Sequence, residues 1–435
     1  MELTDFSPPL LPTPEQQCDA LRKGLGRVAL WAKSGLLDSQ PLLDACLHDL
    51  RFDIQCEDNR GEWLWSLIQA TNNAAAFRQP LLNALQSASL EWDAYQLCEL
   101  AYHFAKSGDR DFRNQLYSFV ERAPIADHPN IGMGQLVSLD KEEGLKFLLK
   151  HRGRKLLNED WEWYDDSLID QAIDVIGEQQ VNTILSDTSD AAIARFAVKR
   201  KENLRQPEDP ELLRTRHVEK MKAVSVREIF EAVHSDDRAY WLRGWGMQAR
   251  DDELEQVFAA LWTEQDWEVI VKLLRIFSGR SIPAFDTRLI ELCRHPEYKV
   301  RFGASRVCEQ NTHPAIRAFA WQELQEQALE IPVVGLFIRN FETGDEQRLL
   351  ELIRLPDDLN FRHWMLSDLV HVLEENQQAD CRELALIAYF HNPCSYCRYH
   401  AAELLRDRQA APQWLIDECR WDANEETREV FGMDE

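Results

Sequence analysis

The chain has 435 residues, 45% hydrophobic and 29% charged, with only 17 glycines and 17 prolines. That balance excludes a disordered or collagenous chain and supplies apolar surface for one extended array or for two or three ordinary domains. A formal charge of -26 and a pI near 4.9 oppose general binding to a polyanion, because each phosphate contact needs a Lys or Arg.

Ten cysteines in so long a chain do not form a short secreted disulfide framework. Cys46, Cys98, Cys308 and Cys419 fall on apolar helical faces, where Cys acts as a small hydrophobe. The first residues lack the basic start and apolar core of a signal peptide, and no run approaches the length of a membrane span. A cytoplasmic location, with no membrane association, is therefore the expectation.

Residues 1–12 are a Pro-rich extended lead. Thr13-Pro14-Glu15-Gln16 reads as an N-cap, a proline at the first helical position and a capping-box partner. A helical block over 13–120 follows, with helices near 15–35, 40–50, 60–72, 77–88 and 91–106. Leu42, Leu43, Cys46 and Leu50 show the period of one buried face. Two prolines and two glycines mark 121–136 as a connector. Helical repeats return over 137–200, and 201–224, with two prolines and mixed charge, reads as a linker or insertion. Ser225 and Glu228 form a second capping box and open an array over 225–435. Its helices are expected near 226–233, 237–248, 252–262, 266–277, 284–293, 297–309, 314–328, 346–354, 360–374, 380–389, 394–405 and 412–418. The good helix formers Leu, Ala, Glu, Gln and Arg dominate these segments, so the fold class is all-α.

A pattern recurs along this array. Asn392-Pro393 leads to Arg398, Ala401 and Leu405, and His295-Pro296 leads in the same spacing to Arg301, Ala304 and Cys308. Asp422 stands before Arg428 as Asn392 stands before Arg398, and Arg362 is a further echo. The steps from Arg362 to Arg398 and on to Arg428 are 36 and 30 residues, the length of a two-helix repeat. The chain here resembles HEAT and armadillo-like repeats, especially the phycobilisome-lyase type. The resemblance covers 225–435 best, 137–200 weakly, and 13–120 only by helical rhythm. It implies a right-handed α-solenoid of HEAT-like helix pairs, with small alanines admitting close helix approach and arginines bonding the turns of a neighbouring repeat. It implies no particular activity, since such arrays serve scaffolds, adaptors and a few enzymes.

Several clusters invite a chemical reading. Asp165, Asp166 and Asp170 can share one helix face and hold Mg²⁺ through oxygen ligands, beside Trp161, Trp163 and Tyr164, which suit a protein-binding patch. A solvated acidic helix start explains the same residues. Trp241 and Trp245, at i and i+4, suit either a partner interface or the core. Cys394 and Cys397 offer two zinc ligands near His391 and His400, but with no second CxxC nearby core packing is favoured. Asp53, Glu57, Asp58 and Glu62 could do acid–base work, though Arg51 and Arg60 make ion pairing simpler. The basic residues between Lys199 and Lys222 are diluted by acids, so nucleic acid is disfavoured. No phosphate loop, HExxH or GxSxG occurs. The leading expectation is a non-enzymatic scaffold or adaptor without cofactor, steered by its negative charge to a protein partner with a basic surface. A metal-dependent enzyme using the Asp165 cluster and a nucleic-acid-associated protein are the alternatives.

Overall fold

The computed structural model describes residues 6–432 except 58–59, 72, 89–91, 123–130, 159–165, 204–208, 236–238 and 327–330. Among the described residues the chain is all-α, with two short 3-10 turns and no strand. No helix among them is long and apolar enough to cross a membrane. The chain divides into two compact units: Pro8–Gln206 with Asp417–Glu435, and Met1–Ser7 with Pro207–Ile416.

The first unit begins with α1 (Pro14–Lys23), α2 (Arg27–Lys33), α3 (Ser39–Leu47), α4 (Arg60–Ala70), α5 (Ala74–Ser87), α6 (Trp92–Lys106) and α7 (Arg110–Arg122). It continues with α8 (Met133–Asn158, broken at Lys141), α9 (Ser167–Ile176), α10 (Glu178–Leu185) and α11 (Ala191–Asn203). Thr13 and Gln16 form the expected capping box at α1, exchanging bonds of 3.3 and 2.9 Å. The single helix expected over 15–35 is two, because Gly24 takes a left-handed φ of 75° and ends the first. From α1 to α8 the helices touch their next-but-one neighbours: α2, α4, α6 and α8 form one row, and α1, α3, α5 and α7 the other, while α11 packs on α8.

The second unit holds α12 (Pro210–Ala223), α13 (Val226–Ser235), α14 (Leu242–Gln248), α15 (Asp251–Leu261), α16 (Trp267–Phe277) and α17 (Arg288–Leu292). Then come α18 (Tyr298–Glu309), α19 (Pro314–Glu326), α20 (Asp345–Leu352), α21 (Leu359–Glu375), α22 (Arg382–His391) and α23 (Ser395–Asp407). Ser225 and Glu228 make the second expected capping box. The rows repeat here, with α12, α14, α16 and α18 in one succession, and α13–α15, α17–α19, α20–α22 and α21–α23 also in contact. The chain leaves this unit within α24 (Gln413–Cys419), and α25 (Glu425–Glu429) belongs to the first unit. There Glu418 pairs with Arg27 at 2.8 Å, and the Ala423 N–H donates to the Gly24 carbonyl at 2.8 Å.

The repeated turn has a definite chemistry. Before α18, His295 Nδ1 accepts the Glu297 N–H at 3.0 Å, and Arg301 donates back to the carbonyls of His295 and Pro296 at 3.0 and 2.8 Å. Before α25, Asp422 Oδ1 accepts the Asn424 N–H at 3.0 Å, while Arg428 donates to the carbonyls of Asp422 and Ala423 at 2.9 and 3.0 Å. Asn392 Oδ1 likewise accepts the Cys394 N–H at 3.0 Å before α23, where Arg398 is fully buried. An acceptor side chain thus satisfies an orphan N–H at the helix start. Arg301 and Arg428 each tie their own leading turn, whereas the sequence suggests a neighbouring repeat. The first helical turn brings carbonyls five and six positions back within one guanidinium's reach. Ala304 and Ala401 are fully buried on α18 and α23.

Candidate functional site

The α6 sequence carries two faces. Leu97, Cys98, Leu100, Ala101, Phe104 and Ala105 are buried in the core. Glu99, Tyr102, His103 and Lys106, spaced i, i+3, i+4 and i+7, share a polar face. That face lines a half-open cavity of about 270 Å³, together with Glu62 of α4, Gln135 and Ser138 of α8 and Gln171 of α9. Close packing of α4 on α6 depends on Gly61. A Cβ there would come within 2.3 Å of Glu99 Cβ, and the bare Gly61 N–H instead donates to Glu99 Oε2 at 2.7 Å.

The groups in the cavity differ sharply in charge preference. Burial pushes the Glu99 carboxyl up to about 7; the Gly61 N–H and Arg51 oppose that rise, and Asp49 and Glu57 add to it. Burial pulls the His103 imidazole down, Glu62 and Lys106 adding opposing and reinforcing contributions, so His103 is neutral at pH 7. Its ring stacks on Trp65, with centroids 5.8 Å apart and planes at 12°. Lys106 is exposed, with its ammonium 5.5 Å from the Tyr102 ring centroid. The cavity therefore contains one carboxylate in contact with water, Glu62, and one, Glu99, poised to gain or lose a proton near neutrality. A cation entering beside Glu99 favours its ionised form.

The residues singled out in the sequence fall elsewhere. Trp161, Trp163, Tyr164 and Asp165 lie outside the described residues. Arg200 holds Asp166 in a bidentate pair at 2.8 and 2.9 Å, and Asp170 is exposed on α9. Among the described residues, neither belongs to a group of three ligating side chains close enough to share an ion. Trp241 is half-buried, but Trp245 is 1% exposed and donates its indole N–H to the Val224 carbonyl at 3.0 Å, so its ring fills the core. Glu57 pairs with Arg60 at 2.8 Å, both buried, Asp53 accepts the Gln55 N–H at 2.9 Å, and Asp58 lies outside the described residues. Within the basic stretch, α12 is exposed along almost its whole length, and Met221 is its buried residue. The α6 face escaped notice because a polar i, i+3, i+4, i+7 stripe has the same pattern as a solvated surface; only the packing of α8 and α9 turns it into a wall.

No protein-family model, curated protein or solved structure matches this chain.

Proposed function

We propose that the chain is a non-enzymatic protein-binding scaffold, built in each unit from right-handed, HEAT-like stacked helix pairs, which receives a Lys or Arg side chain of a basic partner in the α6 cavity. One observation carries the reading: Glu62 and Glu99 line a polar cavity in a chain of formal charge -26. Such a chain draws basic surfaces toward it, and a partly desolvated carboxylate fixes where the cation lands. The next-but-one helix contacts support the stacked-pair architecture, since a short amphipathic pair must bury its apolar face on its neighbours. With His103 neutral, Lys106 is the competing positive charge at the cavity, and its removal strengthens binding.

The test is fluorescence anisotropy of the full chain with short neutral peptides carrying one Arg, one Lys or, as control, one Gln. Binding of the Arg or Lys peptide is expected to tighten as pH rises toward and through about 7, as Glu99 ionises. It should weaken in high salt. Glu99→Gln and Glu62→Gln should each lose affinity, and Lys106→Ala should gain it. Equal affinity for the Arg and Gln peptides at every pH overturns the reading.

A further inference from the structure

Two cysteines three positions apart are weak as a metal signal until the third ligand is known. Cys394 is the N-cap of α23 and Cys397 lies in its first turn. The Asn392 side chain fixes this start by accepting the Cys394 N–H at 3.0 Å, so both thiols stand at the positive end of a thirteen-residue helix. From α21, packed against α23, His363 arrives at the same point, 31 positions upstream of Cys394. The His363 imidazole nitrogen and the two sulfurs all lie within 4.8 Å of one another, with His363 Nε2 3.2 Å from Cys397 Sγ. Cys394 is buried, while His363 and Cys397 are half-buried, so the group is sheltered yet reachable.

The donor set suits a specific chemistry. A tetrahedral zinc ion with Zn–S near 2.3 Å and Zn–N near 2.0 Å separates its ligand atoms by about 3.5–3.8 Å. Small side-chain adjustments bring these three atoms to that spacing. Two thiolates and an imidazole are soft to borderline donors, which favour zinc over Mg²⁺ or Ca²⁺. Ser367, one helical turn beyond His363, donates its hydroxyl to the His363 carbonyl at 2.7 Å and holds its Oγ 3.2 Å from Cys397 Sγ, placed to turn that hydrogen to the sulfur and orient it once the thiolate binds metal. The other close thiol pair is a useful contrast. Cys293 and Cys308 are fully buried with sulfurs 3.9 Å apart, but they belong to no three-ligand group among the described residues.

We propose that His363, Cys394 and Cys397 bind one zinc ion, with the fourth position left for water or an outside ligand. A site closed by four protein ligands is structural, whereas three ligands and an open position admit an exchangeable group. This site lies in the second unit and does not depend on the α6 cavity.

The test uses the full chain, reduced and stripped by chelator, titrated with Co²⁺ as a spectroscopic probe and then with Zn²⁺. One equivalent of Co²⁺ should give a thiolate charge-transfer band and the visible bands of a tetrahedral site, both abolished by one equivalent of Zn²⁺. Cys397→Ser and His363→Gln should weaken zinc binding by at least about 100-fold, and Ser367→Ala by about 10-fold, as expected for a ligand-orienting group. The double variant Cys293→Ser/Cys308→Ser should bind as the wild type does. Circular dichroism of each metal-free variant separates ligand loss from misfolding. Added azide should shift the visible cobalt bands if the fourth position is open; unchanged bands overturn the open position. Failure of the wild-type chain to bind one equivalent, or binding that survives in folded Cys397→Ser and His363→Gln, overturns the site itself.

Discussion

Replacing Glu99 by Gln removes a titrating group while keeping an acceptor for the Gly61 N–H. In the folded chain the Glu99 carboxyl titrates at about 7, against an ordinary value of 4.5, chiefly through burial. The folded state therefore holds a proton between those two values that the unfolded chain has released. The stability this proton confers is complete below pH 4.5 and is lost as pH rises through about 7. At about 1.4 kcal/mol per pH unit, the gap corresponds to about 3 kcal/mol. Urea denaturation of wild type and Glu99→Gln at half-unit steps from pH 4.5 to 8.5 measures it, with tryptophan fluorescence reporting unfolding. The wild type should lose about 3 kcal/mol relative to the variant across that range, with the difference levelling off above pH 7. Stability curves that run parallel from pH 4.5 to 8.5 would refute the argument that Glu99 is desolvated in the cavity wall.

Other perturbations probe packing. Gly26→Ala places a Cβ 1.9 Å from the Glu418 carbonyl oxygen, so backbone must move; a loss of about 2 kcal/mol or more in urea denaturation is expected, and a neutral effect would contradict that close approach. Trp245→Ala, at a site 1% exposed, should cost about 3–5 kcal/mol, whereas Trp245→Phe, which mainly leaves the Val224 carbonyl without its donor, should cost about 1–3 kcal/mol. Ala304→Leu overfills a fully buried position on α18 and should cost about 1–3 kcal/mol, seen as a lower melting temperature in calorimetry. In the folded chain the Cys293 thiol, pushed up by its bond to Cys308 and by burial, should resist alkylation at pH 8 until denaturant is added.

The sequence by itself determined what depends on neighbours a few positions away. The capping boxes at Thr13 and Ser225 and the helix near Leu42 follow from local spacing and hydrogen-bond chemistry, and the structure contains all of them. The turn of His295, Asn392 and Asp422 was legible for the same reason: an acceptor and an arginine six residues on can satisfy one helix start between them. Even so, the pattern alone could not tell which turn the arginine ties.

Tertiary structure decided everything that turns on side chains far apart in the chain. It put Trp245 in the core and Asp166 on Arg200, because burial and ion pairing are set by what packs opposite. It made a cavity wall of the polar stripe on α6 by laying α4, α8 and α9 around it. It also brought His363 to the two cysteines of α23, which no spacing within one segment could reveal. A helix's own residues fix its period and its ends, but the partners of its polar face are chosen by the helices stacked against it.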